Sequence, residues 1–87
     1  MKGTEKQITW AKKIQKQAID TIDTYELIYR DQVEEEDWPV VQASLDIVRG
    51  KILSIDSAAE LIEIGKRDID DYIDAELVKT PAFQAEE

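Results

Sequence analysis

The 87-residue chain contains no cysteine and no histidine. Without cysteine it cannot form a disulfide, a thiolate metal site or a cysteine nucleophile, so packing must stabilise the fold. Without histidine it lacks the commonest general base and the commonest neutral metal ligand. Carboxylates, lysines and tyrosines are what remains for acid–base chemistry. We therefore expect neither an enzyme nor a protein that binds a cofactor or a metal.

Long apolar runs are missing too. Residues that break helices are scarce, since the chain has two prolines and three glycines. No apolar run approaches the roughly 18 residues that a membrane span requires, and no signal-peptide core follows Met1. We expect a cytoplasmic protein without membrane contact. Hydrophobic residues make up 43% of the chain and charged residues 36%, a balance typical of folded proteins. The length suits one domain over residues 1–87.

Helix signals dominate the first third of the chain. Thr4 and Gln7 have the spacing of a capping box, and apolar residues then recur every three or four positions as far as Tyr29. One helix from Thr4 to Val33 would be about 45 Å long, whereas a compact monomer of this size has a radius of gyration of about 12 Å. Either a kink near Asp23 or dimerisation along the overhang would resolve this conflict. We favour the kinked monomer over a homodimer.

The rest of the chain predicts two or three more helices. Pro39 suits the first turn of a second helix, Ser57 the cap of a third and Asp68 the cap of a last one. Gly50 could end the second helix or lie inside it, and Gly65 could be a left-handed cap or lie inside one long helix. The fold predicted is an all-α antiparallel bundle of three or four helices, with a frayed tail from about residue 80. The expected core residues are Ile14, Ala18, Ile22, Leu45, Val48, Leu61, Ile62 and Tyr72.

The N-terminal segment resembles a known motif. Residues 3–8, with Trp10, Ala11 and Ile14, match the opening G-[ST]-E-K-Q-I-x-W-A-x-x-I of small uncharacterised proteins of Gram-positive bacteria and their phages. Those relatives often carry a later segment similar to S-A-K-x-W-I-D-N-R, and residues 57–65 echo it weakly. Ala59, Leu61, Ile64 and Gly65 depart from that segment, so we do not expect a polar site there. The resemblance implies a phage-related protein and no particular activity.

Two tryptophans are candidate binding residues. Trp10 lies about 100° around the helix from its apolar neighbours, so it either edges the core or is presented to a partner. Trp38 precedes Pro39 beside an acidic run, where we expect it to pack at the start of the second helix, with partner binding as the alternative.

Charge is unevenly distributed on this chain, whose net charge is −9. Residues 1–17 have a net charge of +4 and the remainder −13, and Glu34, Glu35, Glu36 and Asp37 follow one another directly. Such runs are usually solvated surface, but they also steer basic partners. The lysines of the first helix favour a match with acidic protein surface over binding of nucleic acid, which the neighbouring acids would repel. Residues 68–76 lack the glycine of a calcium loop and keep helical spacing.

These observations favour a small acidic protein–protein interaction module, a phage- or mobile-element-derived inhibitor or accessory factor that binds a basic protein. The alternatives are a structural helical homo-oligomer and, less favoured, a nucleic-acid-binding protein that uses the basic first helix. The candidate partner-binding residues are Glu34, Glu35, Glu36, Asp37, Trp10 and Trp38.

Overall fold

The computed structural model describes residues 1–84 and confirms the predicted small all-α bundle. Four helices of nine residues or more are followed by a single-turn helix. Their bounds are α1 (Glu5–Gln32), α2 (Trp38–Leu53), α3 (Ala58–Lys66), α4 (Ile69–Leu77) and α5 (Pro81–Gln84). The predicted caps are confirmed. Thr4 and Gln7 form a reciprocal capping box, and the Ser57 and Asp68 side chains accept hydrogen bonds from the backbone N–H groups of Glu60 and Asp70.

Helix α1 runs without interruption for 28 residues, so the kink predicted near Asp23 is wrong. The expectation rested on Thr21 and Thr24, which are poor helix formers. Their hydroxyl groups instead donate to the carbonyl oxygens of Gln17 and Asp20, at 2.9 and 3.0 Å. These bonds hold both threonine side chains against the preceding turn, and the helix continues through both residues.

The overhang that a long first helix seemed to create does not exist, because the other helices cover α1 along its length. At 1.5 Å per residue α1 is about 42 Å long, and the longest dimension of the molecule is 45 Å. One core cluster joins the N-terminal half of α1 to α3, and a second joins its C-terminal half to α2 and α4. The radius of gyration is accordingly 14.0 Å, larger than that of a compact sphere of this mass.

The residues before α1 are tied to the α2–α3 connection. The Lys2 N–H donates to the carbonyl oxygen of Asp56 and the Ala58 N–H donates to that of Lys2, both at 2.8 Å. Gly3 has a φ of +145°, and a Cβ atom there would lie 2.8 Å from the Cβ of Ala58. Glycine is therefore required for both backbone conformation and space.

Both of the other glycines lie inside helices. Gly50 lies inside α2, which continues to Leu53. Gly65 lies inside α3 with a negative φ, so the left-handed cap considered for it is wrong. A Cβ atom at residue 65 would lie 2.4 Å from Cδ1 of Ile14, which shows that glycine lets α3 approach α1 closely. Helix α3 nevertheless ends at Lys66, and α4 is a separate helix.

The last part of the chain differs from the prediction in two ways. Tyr72 was expected in the core but is half-buried at its edge, and the buried residues of α4 are Ile73 and Leu77. The other seven expected core residues are buried. The frayed tail is wrong for residues 80–84, because α5 packs against α2 and its Phe83 ring lies 5.5 Å from the ring of Tyr29. The Ala82 N–H donates to the buried Ser44 hydroxyl at 3.2 Å. Residues 85–87 lie outside the described part of the chain.

Candidate partner-binding surfaces

The four consecutive acids form an exposed turn between α1 and α2, as predicted for a connection. Backbone N–H groups of Asp37 and Trp38 donate to the carbonyl oxygen of Glu34, at 2.9 and 3.1 Å, and close the turn. We call residues 34–37 the acidic turn. All four side chains are exposed, and within residues 1–84 none of them forms an ion pair. Asp37 is the N-cap residue of α2, yet its side chain makes no capping hydrogen bond.

Trp38 is largely a structural residue, in agreement with the packing role expected at the start of α2. Its ring is half-buried against the core cluster that α1, α2 and α4 share. The guanidinium carbon of Arg30 lies 5.6 Å from the centre of this ring, a cation–π distance. Arg30, Val33, Glu35 and Trp38 also line a shallow pocket of about 310 Å³ beside the acidic turn. Glu35 is the member of the acidic turn that lines this pocket, in which Arg30 already lies over the ring of Trp38.

Trp10 lies on a different surface. Its side chain is 50% exposed, and it is not among the hydrophobic residues that pack against either core cluster. Lys6 and Lys13, four residues before it and three after, share its side of α1 and are exposed. About half of Trp10 is exposed on this basic side of α1 and about half is covered, so its position is compatible with both interpretations.

The structure therefore does not bring the six candidate residues together. Trp10 and the end of α1 at Gln32 are separated by about 33 Å of helix at 1.5 Å per residue. The acidic turn and Trp38 lie at one end of the molecule, and Trp10 with its lysines lies towards the other. The charge asymmetry of the sequence thus becomes a charge separation along the 45 Å axis.

Sequence reasoning missed the ion pairs that join the helices. Arg49 of α2 reaches Asp23 at 2.8 Å and Glu26 at 3.1 Å on α1, and it also pairs with Asp46 one turn away. Burial alone would lower the pKa of Arg49, but hydrogen bonds to Asp23 and Glu26 raise it overall. The signal in the sequence was an arginine between the core residues Val48 and Ile52 of α2, and the partner helix could not be known in advance.

A second group of ionic contacts links α2 to α4. Lys51 pairs with Glu76, and Lys79 pairs with the same carboxylate at 3.1 Å. Burial would raise the pKa of Glu76, but these two lysines hydrogen-bond the carboxylate and lower its pKa below the ordinary value. On the other side of α4, burial and then the neighbouring Asp74 raise the pKa of Tyr25 to about 12. The Lys51–Glu76 pair joins α2 to α4, whereas the Lys79–Glu76 pair is local to the end of α4.

The described residues offer little for other kinds of site. No group of three or more carboxylates within residues 1–84 is arranged to hold a metal ion. A pocket of about 380 Å³ lies between α2, α3 and α4, where Lys51, Glu60, Arg67 and Tyr72 contribute to its wall. In the same range, every helix is too short or too polar to cross a bilayer. Comparisons with models of protein families, with curated proteins and with solved structures gave no match.

Proposed function

We propose that this chain is a small, acidic, cytoplasmic protein–protein interaction module of the kind that phages and mobile elements encode as inhibitors or accessory factors, and that its acidic turn binds a basic protein. One observation carries the proposal. The four carboxylates of residues 34–37 are exposed side by side, and within residues 1–84 no cation pairs with them. Carboxylates elsewhere, such as Glu26 and Glu76, form ion pairs between helices.

The surroundings of the acidic turn support a binding role. The turn precedes the N-terminus of α2, whose dipole stabilises nearby negative charge and offsets part of the mutual repulsion. The pocket lined by Trp38 and Val33 gives the apolar stem of a lysine or arginine a surface to contact beside the carboxylates. Attraction between such charges speeds association and weakens as salt increases.

The test is capture of proteins from a bacterial lysate by immobilised protein at low and at high salt. In the test variant, the four acids of the turn are replaced by their amides. Those substitutions are Glu34→Gln, Glu35→Gln, Glu36→Gln and Asp37→Asn. A control variant with the same net charge removes four exposed acids from other surfaces. Its substitutions are Asp20→Asn, Glu60→Gln, Glu63→Gln and Asp71→Asn.

We expect the control variant to retain proteins that the wild type captures at low salt, and the turn variant to lose them while its circular-dichroism spectrum stays helical. Equal loss in both variants would mean that overall charge, and not the turn, governs capture. Unchanged capture by the turn variant would contradict the proposal and direct attention to Trp10 with Lys6 and Lys13, the surface that a nucleic-acid-binding role would also use.

A further inference from the structure

The outward face of α2 carries apolar side chains that have no place in the core. Val40 and Ile47 are 52% and 53% exposed, although the opposite side of the same helix is buried through Leu45 and Val48. Val40, Ala43, Ile47 and Gly50 are spaced by three or four residues, so they share one side of the helix, and all four are exposed. We call these four residues the α2 stripe. It has no charged member.

No contact within residues 1–84 requires a glycine at position 50. Its φ is not positive, and a Cβ atom at this position would meet no atom within 4 Å. Glycine is among the least favourable residues in a helix interior. The other two glycines are needed, because Gly3 has a positive φ and Gly65 lies against Ile14. A second molecule that packs closely against α2 would require a glycine at position 50, as Ile14 requires one at position 65.

The α2 stripe is complementary to itself when reversed. Its side chains alternate in size along the helix, with valine and isoleucine large and alanine and glycine small. If two α2 helices cross antiparallel, with the two-fold axis midway between Ala43 and Ile47 along the helix, Val40 faces Gly50 of the partner subunit and Ala43 faces Ile47 of the partner subunit. Each large side chain then lies over a small residue, as close helix packing requires. A two-fold axis repeats both contacts, which is the geometry of an isologous dimer.

The charge separation of the chain favours the same orientation. Gln15 of α1 donates to the carbonyl oxygen of Ile52 at 3.0 Å, so Lys12 and Lys16 lie beside the C-terminal end of α2. The acidic turn lies at the N-terminal end of α2. An antiparallel pairing of α2 helices therefore brings the acidic end of each copy to the basic end of the other, whereas a parallel pairing would bring like charges together.

We propose that the α2 stripe is a self-association surface, on which a second copy of this chain docks antiparallel. The apolar contacts of this dimer lie along α2 and do not include the acidic turn, whose charges favour only the orientation of the two copies. One helix face of 16 residues is short, about 24 Å at 1.5 Å per residue. Interfaces of this size are typical of weak, transient association. The dimer should therefore form at high protein concentration.

The first test measures mass by sedimentation equilibrium at about 10 μM and about 1 mM, since a small interface supports weak association. At low salt we expect the mass to rise from 10.0 kDa towards twice that value. Ile47→Lys should weaken association about tenfold or more by placing a charge in the apolar contact. Ile28→Lys is the matched control, because it makes the same change at a residue that is 46% exposed on α1, outside the α2 stripe. This variant should dimerise like the wild type.

The second test determines orientation, using cysteines introduced into a chain that has none. An Ala43→Cys protein mixed with an Ile47→Cys protein should form the mixed disulfide, and Ala43→Cys mixed with Ile28→Cys should not. Preferential linkage of Ala43→Cys to itself would indicate parallel pairing and overturn the proposed geometry. A mass of 10.0 kDa at about 1 mM and low salt, or equal masses for Ile47→Lys and Ile28→Lys, would overturn the surface itself.

Discussion

Replacement of Gly65 by alanine tests the close packing of α1 on α3. A Cβ atom at residue 65 would lie 2.4 Å from Cδ1 and 2.8 Å from Cγ1 of Ile14, both inside van der Waals contact. Ile14 is only 4% exposed, and as a β-branched residue in a helix it has one strongly preferred χ1 rotamer. It therefore cannot move aside freely. Overpacking of this kind typically costs about 1–3 kcal/mol.

Gly50→Ala is the matched comparison, because it makes the same chemical change where no atom lies within 4 Å. It should raise the free energy of unfolding by about 1 kcal/mol through helix propensity alone. The same gain applies to Gly65→Ala, so we expect a net loss there of up to about 2 kcal/mol, or a fall in Tm of up to roughly 16 °C. Urea denaturation followed by circular dichroism at low micromolar concentration would measure both variants as monomers.

Ile14→Val supplies the internal control for the clash. It removes the Cδ1 methyl group and by itself should cost about 0.5–1.5 kcal/mol. In the double variant Gly65→Ala with Ile14→Val, the total loss should be smaller than the sum of the two single losses, because the closest contact is gone. If Gly65→Ala is as stabilising as Gly50→Ala, or if the two single effects simply add, the reasoning about helix approach is refuted.

Three further outcomes are expected. Gly3→Ala should lower the free energy of unfolding by about 1–3 kcal/mol, because the φ of +145° at Gly3 and the nearby Cβ of Ala58 exclude a side chain. Thermal unfolding would measure this loss, and a neutral result would contradict it. Ile22→Ala should cost about 2–5 kcal/mol because Ile22 is fully buried, while Leu27→Ala, at a site 71% exposed, should be nearly neutral in the same denaturation assay. The contribution of Tyr25 to stability should be constant up to about pH 10 and fall towards pH 12, because its pKa is near 10.0 when unfolded but about 12 when folded. Tyr25→Phe should lessen that fall, and an unchanged alkaline profile would count against the raised pKa.

The sequence alone predicted where several helices begin and which of their faces are buried. Side chains that cap a helix act on backbone groups two or three residues away, so Thr4, Ser57 and Asp68 could be identified without knowledge of the fold. Spacing of apolar residues likewise identified Ile14 and Ile22 as core, because one face of an amphipathic helix must be buried.

Packing between helices decided the rest. Whether α1 was bent depended on where α2, α3 and α4 would lie along it, and sequence gave no position for them. Gly65 could be a cap or an interior residue, because a glycine near the end of a helical pattern is ambiguous until its neighbour across the interface, Ile14, is known. Phe83 looked like part of a frayed tail, because a single turn of helix is stable only through contacts such as that with Tyr29.

The candidate surfaces divide in the same way. Sequence alone established an acidic, all-α chain without thiol or imidazole chemistry, with a basic start and four consecutive acids, because composition and charge order are properties of the chain itself. The tertiary structure decided which charged side chains form ion pairs. Asp23 and Glu26 pair with Arg49 of another helix, whereas the acidic turn pairs with no cation within residues 1–84. It also separated Trp10 from the acidic turn, because an unbroken α1 holds the two ends of the molecule apart.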